Sequence, residues 1–135
     1  ILKAGDLPRG KVFELMPFDN IIILQKLKGD VLQQLLDHVA GRGGWPVAGI
    51  SMQIKEKKAI NVMINNQSID LNKVYTIANS DYIANGGDNC EMLISVPQIN
   101  KGFLLRDALI DYFSMFTKDG KVISIQLQNR ITNAQ

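Results

Sequence analysis

Tyr75-Thr76-Ile77-Ala78-Asn79-Ser80-Asp81-Tyr82-Ile83-Ala84-Asn85-Gly86-Gly87-Asp88 is the densest signal in the chain. The β-branched and apolar run Val74 to Ala78 reads as a strand. It passes directly into a polar loop with two glycines, which permit unusual backbone dihedrals and close approach of a ligand. Tyr82 lies six residues ahead of Asp88. A tyrosine face can stack on a flat base, and a carboxylate can accept from sugar hydroxyls. Asn85-Gly86-Gly87-Asp88 also reads as an ordinary tight turn. From these residues alone both readings stay open.

Working outward, the chain alternates strands and helices. Lys11 to Met16 reads as a short helix stopped by Pro17, because the residue before proline avoids the α region. Asn20 to Leu27 reads as a strand. Gly29-Asp30 opens a helix, with Asp30 placed to cap free N–H groups. Val31, Leu32, Leu35, Leu36 and Val39 form one stripe on it, and Gly41 to Gly44 end it. Val47 to Ile54 alternates apolar and polar side chains, and Asn61 to Asn65 follows a charged turn at Lys55 to Lys58; both read as strands. Asn65-Asn66 suits the positive φ of a hairpin turn. Leu104 to Phe116 reads as a second amphipathic helix, Asp119-Gly120 as a turn, and Val122 to Leu127 as a last strand. Hairpin-paired strands with two amphipathic helices predict an α+β layered domain.

Composition narrows the function classes. The chain has 135 residues, 46% hydrophobic and 21% charged, with a net charge of +2. This is ordinary globular usage in a length suited to one domain, residues 1–135. The charge is too small and too scattered to argue for nucleic acid. The longest apolar run, Ile21 to Leu24, falls far short of the ~18–20 residues of a membrane span. One cysteine, Cys90, excludes an internal disulfide, and one histidine, His38, excludes a multi-histidine metal centre within the chain. Cys90 reads as a small buried hydrophobe, and His38 as packed or hydrogen-bonded rather than catalytic. The start at Ile1 rather than Met leads us to expect a piece of something longer. The second glycine-rich loop, Gly41 to Pro46, carries the only tryptophan, Trp45, which reads equally as a stacking platform or a plug at the core edge.

Taken together, these segments resemble the C-terminal domain of the 5′-nucleotidase / UDP-sugar hydrolase family. Gly10 to Asn20 is similar to its aromatic-Glu-x-Leu-Pro-Phe-x-Asn stretch, and Leu27 to His38 to its helix ending in Glu-His. Gly43 to Ile50 resembles its Phe-Leu-Gln-Val-x-Gly-Ile loop. Tyr75 to Asp88 resembles its most specific signature, which ends in aromatic-Leu-Ala-Asn-Gly-Gly-Asp, and Asn129-Arg130-Ile131 its terminal Gly-Arg-Ile. The match covers nearly the whole chain.

The resemblance implies a four-layer α/β/β/α domain that holds a nucleoside or nucleotide. It implies a separate metallophosphoesterase domain, in cis or in trans, that carries two divalent metals; no cofactor is expected on this chain. By motif position Tyr82 is one stacking aromatic and Asp88 the ribose acceptor, on the Asn85-Gly86-Gly87 loop. Anchored on Gly49-Ile50, the family's other stacking phenylalanine falls on Gly44, and a one-residue shift would give Trp45 that role. Tyr82 replaces the usual phenylalanine, and the family's Asn-x-Gly-Gly-Ile-Arg segment is expected just ahead of Ile1. Export to a periplasm, a cell surface or the medium is implied as well. Two functions remain: a nucleotide-binding domain of a 5′-nucleotidase, inactive by itself, or a non-catalytic binding or interaction module. A self-sufficient hydrolase built on His38 or Cys90 is disfavoured.

Overall fold

The computed structural model describes residues 5–124 and 126–134. In chain order they form α1 (Arg9–Leu15), β1 (Ile21–Lys28), α2 (Gly29–Gly41), β2 (Ile50–Lys55), β3 (Lys58–Ile64), β4 (Gln67–Ser68), β5 (Val74–Ser80), α3 (Asp81–Ala84), β6 (Gln98–Leu104), α4 (Leu105–Lys118) and β7 (Ile131–Asn133). Two short 3-10 turns, Gly87–Asn89 and Glu91–Leu93, follow α3. The strands make two sheets, ordered β5-β1-β6 and β4-β3-β2-β7. The α+β expectation holds: two sheets and four helices.

The hairpins form where their turn residues tolerate positive φ. Glu56 and Lys57 (φ 48° and 63°) link β2 to β3, and Asn65 and Asn66 (φ 48° and 64°) link β3 to β4. Two consecutive left-handed residues give the turn whose twist matches the flanking strands. In the first sheet β1 is central and antiparallel to both neighbours, running from Ile22 opposite Ser80 to Lys28 opposite Val74 on the β5 side.

Helix α2 connects the two sheets. Leu32, Leu35, Leu36, Val39 and Ala40 are buried on one stripe, in one cluster with Leu27 of β1, Met52 of β2, Ala59 and Val62 of β3, and Cys90 and Leu93. Asp37 ties the same helix to β3, accepting from the Ala59 N–H at 3.0 Å and from the Lys58 ammonium at 3.0 Å. Gln25 of β1 is the buried polar exception. Its amide donates to the carbonyls of Leu93 (3.0 Å) and Val96 (3.1 Å) and accepts from Asn79 (3.1 Å), so it stitches the segment after the glycine loop onto the first sheet. A buried amide that meets its partners this way carries little desolvation penalty.

The second helical layer is looser. No residue of α4 is fully buried. Arg106 holds it against α1, with its guanidinium 4.2 Å from the Phe13 ring centroid and 2.5 Å from Asp19 Oδ1.

Two expectations need correction, and one strand was not expected. The strand expected over Val47 to Ile54 starts only at Ile50, because Ala48 and Gly49 form a bend, with Gly49 at φ 74°. The strand expected over Val122 to Leu127 is absent at its described residues (Ile125 lies outside them), where Val122 and Leu127 are 84% and 89% exposed. A β-favouring run without a neighbouring strand has nothing to pair with. The strand in that region is β7, which lies parallel to β2 with Met52 opposite Ile131. β6, which was not expected, pairs with β1.

Candidate functional site

The Tyr82–Asp88 loop sits where β5 delivers the chain into α3. Ser80 caps that helix by accepting from the Ile83 N–H at 3.3 Å. Asp81 fixes the junction to the neighbouring strand: its Oδ1 accepts from the Asn20 amide (3.0 Å), from the Ile21 N–H (3.1 Å) and from the Tyr82 N–H (2.9 Å). The Asn20 bond does most to hold this carboxyl below the ordinary carboxylate range; slight burial opposes it, and the backbone donors add to it. A carboxyl whose folded pKa is depressed stabilises the fold above its unfolded pKa near 4, and that contribution is lost as pH falls through the lower folded value. The Asp81→Asn variant should therefore show a smaller fall in urea midpoint between about pH 6 and about pH 3 than the wild type. An equal fall would show that Asp81 carries none of the acid sensitivity.

Beyond α3 the chain turns through Gly86 at φ 89° and then holds Asp88 in the left-handed region at φ 53°, ψ 30°. Gly87 has to be glycine. A Cβ there would lie 2.5 Å from the Tyr82 carbonyl oxygen and 2.6 Å from Cε1 and Cζ of the Tyr82 ring. The ring thus lies directly over the loop backbone, with Tyr82 still 53% exposed. Its hydroxyl donates to Asp88 Oδ1 at 3.2 Å and accepts from the Asp88 N–H at 3.2 Å. A carboxylate has about four lone-pair sites, so this bond leaves Asp88 room to accept from further donors.

Asn85 is used internally. Its Nδ2 donates to the Asp81 carbonyl at 2.8 Å, and its Oδ1 accepts from Gln98 at 3.0 Å. Its side chain ties α3 to the start of β6 and leaves Tyr82 and Asp88 as the loop's outward groups.

Trp45 follows the C-terminal end of α2. It is half-buried against the core cluster, and its ring meets His38 edge-on at 5.9 Å and 80°. It therefore plugs the core edge and rests against His38. Gly44 faces the other way: a Cβ on it would meet Ile131 Cγ2 at 3.3 Å, toward β7. Trp45 and Tyr82 form no direct ring pair among the described residues. The link between the two loops is His38, whose Nε2 lies 2.8 Å from the Asp88 carbonyl oxygen. Sequence reasoning classed His38 as packed or hydrogen-bonded, and it is both. No local signal marked Asp88 as its partner.

A cavity of about 620 Å³ opens beside Trp45, between α2, the residue 45–50 loop and β5. Its wall includes Ile83 and Asn79 but neither Tyr82 nor Asp88, so this cavity adjoins the loop without being built from it. Cys90 is fully buried beneath the loop, and burial raises its thiol pKa, with the Asp88 charge adding to the effect. This is a packed residue rather than an activated nucleophile. Among the described residues no three His, Cys, Asp or Glu side chains group as a metal set, and no helix is long and apolar enough to cross a membrane.

The comparisons with known proteins converge. Residues 1–95 match the family model described as 5′-nucleotidase, C-terminal domain. A 5′-nucleotidase of Vibrio parahaemolyticus is 32% identical over 120 residues, which is 82% of this chain and 21% of the relative. The silent protein UshA(0) of Salmonella typhimurium is 27% identical over 90% of this chain and 24% of its own length. Among solved structures, a 5′-nucleotidase precursor from Thermus thermophilus superposes with a TM-score of 0.78 at 25% identity, over 94% of this chain and 28% of that one. The NAD nucleotidase of Haemophilus influenzae shares the fold, with a TM-score of 0.72 at 19% identity, over 96% of this chain and 27% of that one. The chain thus spans about a quarter of the length of the proteins it matches.

Proposed function

Because the chain belongs to the 5′-nucleotidase C-terminal domain family, we propose that its 135 residues form, as one domain, the base- and ribose-binding part of a nucleotide hydrolase. Tyr82 offers its exposed face to the base, with Trp45 as the second aromatic. Asp88 accepts from the ribose hydroxyls, and Asn85, Gly86 and Gly87 shape the loop that presents it. The observation that carries this is the Tyr82–Gly87–Asp88 unit, an aromatic face and a carboxylate locked side by side and left open to solvent. Base stacking on an aromatic contributes ~1–3 kcal/mol and accepts different bases. A carboxylate adds charge-assisted bonds to hydroxyl donors.

The phosphate would face a metallophosphoesterase domain on the same or another polypeptide. Two divalent metals there supply the Lewis acidity and the activated water of phosphate-ester hydrolysis. This chain contributes the binding and orientation of the nucleoside, so the pure chain should not hydrolyse AMP. The resemblance to UshA-type proteins supports an extracytoplasmic location.

Trp45 is the only tryptophan, so its fluorescence reports on this region alone. Adenosine titrated to millimolar concentration should quench it, and Tyr82→Ala should weaken the response about tenfold, as expected for one lost stacking surface. Absence of quenching in the wild type, or an unaltered response in Tyr82→Ala, would overturn the assignment.

A further inference from the structure

Two side chains from one helix end converge on one atom of the glycine loop. His38 Nε2 lies 2.8 Å, and Arg42 Nη2 2.9 Å, from the carbonyl oxygen of Asp88, across 50 and 46 residues of sequence. A carbonyl only accepts, so His38 holds its proton on Nε2, and the two donors fill both lone pairs. The residue they grip has a left-handed backbone. Asp88 sits at φ 53°, where a non-glycine backbone is strained unless its surroundings over-determine it. Neither His38 nor Arg42 belongs to the buried core. Their convergence is a polar contact at the surface rather than part of the core. His38 also sets its ring edge on Trp45.

We propose that His38 and Arg42 are positioning residues of the nucleoside site. They fix the Asp88 carbonyl so that its carboxylate stands at a set place beside Tyr82, and His38 joins that carboxylate to the Trp45 loop as one unit. The inference rests on the nucleoside reading above. Neither residue touches the ligand; both act through Asp88. Their loss should fall on recognition of the sugar and spare recognition of the base.

The test is a chemical-shift titration of the full 135-residue chain with adenosine and, separately, with free adenine. His38→Phe keeps a ring edge against Trp45 and removes the N–H. Arg42→Ala removes the second donor from an exposed position and serves as the independent variant should His38→Phe not fold. Each should weaken adenosine binding about three- to tenfold, the scale of one net hydrogen bond, and leave adenine binding unchanged. Arg42→Lys, which can still donate to the carbonyl, should recover most of the loss. Equal losses for adenosine and adenine, or unchanged adenosine affinity in both variants, would overturn the positioning role. Adenosine binding that depends on Tyr82 but not on His38 or Arg42 would remove this inference and leave the nucleoside site standing. A wild-type chain that takes up no adenosine would remove both.

Discussion

Asp88→Ala should lower affinity for adenosine about 10- to 100-fold while leaving free adenine bound as before. A hydrogen bond to a charged group is worth about 1.5–3 kcal/mol, and each 1.4 kcal/mol is about tenfold in affinity. Among the described residues the Asp88 carboxylate engages one donor, the Tyr82 hydroxyl at 3.2 Å, so its remaining acceptor capacity is what a ribose diol would use. Alanine also loses the local tolerance of aspartate for φ 53°, which loosens the loop. Asp88→Asn separates the two effects. Asparagine accepts the left-handed backbone and fills the same space, but carries no charge. It should keep the loop shape and still lose about tenfold for adenosine. Isothermal titration with both ligands checks this, and adenosine affinity unchanged in both variants would exclude Asp88 as the ribose acceptor.

The largest effect on stability should come from Gly29→Ala. A Cβ at Gly29 would lie 2.1 Å from the Asp70 carbonyl oxygen, 2.8 Å from Leu71 Cα and 2.9 Å from Asp70 C. All three atoms are backbone, so no rotamer change relieves the overlap. The approach exists because the loop before β5 caps α2: the Gly29 N–H donates to the Lys73 carbonyl at 2.8 Å, and the Asp30 N–H to the Leu71 carbonyl at 3.0 Å. Alanine has to push that loop away and so breaks both caps. Overpacking against backbone together with lost capping should cost about 3 kcal/mol or more, roughly a 10 °C fall in Tm. Thermal unfolding followed by circular dichroism measures it. A shift of only about 2 °C would mean the loop moves freely.

Local chemistry made much of this legible in sequence. The stripe of Leu32, Leu35, Leu36 and Val39 gave α2 its buried face, and Asn65-Asn66 gave a hairpin. What escaped lacked a local signal. β6 is exposed along almost its whole length, so no burial alternation marks it, and β7 has only three residues and is defined by its neighbour β2. Val122 to Leu127 carried the opposite error, strand-like residues without a strand to meet. Gly29 looked like a helix opener; its real constraint is a backbone some forty residues further along the chain. At the site, Tyr82, Gly87 and Asp88 were readable because six residues of one loop bring them together. The His38 and Arg42 grip on Asp88 was not, because only the fold brings those elements together.

The parallel pairing of β7 with β2 bears on the order in which the chain assembles. Met52 donates to the Arg130 carbonyl at 2.8 Å, and the Arg130 guanidinium reaches back to the Val47 carbonyl, at the root of the Trp45 loop. The β2–β3 hairpin closes over a two-residue turn and can form early, but the β2–β7 ladder has to wait for a segment almost eighty residues later. Closing so long a loop is slow more than it is costly, since loop entropy grows only logarithmically with length. During synthesis from the N-terminus, α2 and the β2–β3 hairpin can therefore be in place while the loop bearing Trp45 still lacks its last anchor. Final ordering of that loop then coincides with completion of the second sheet.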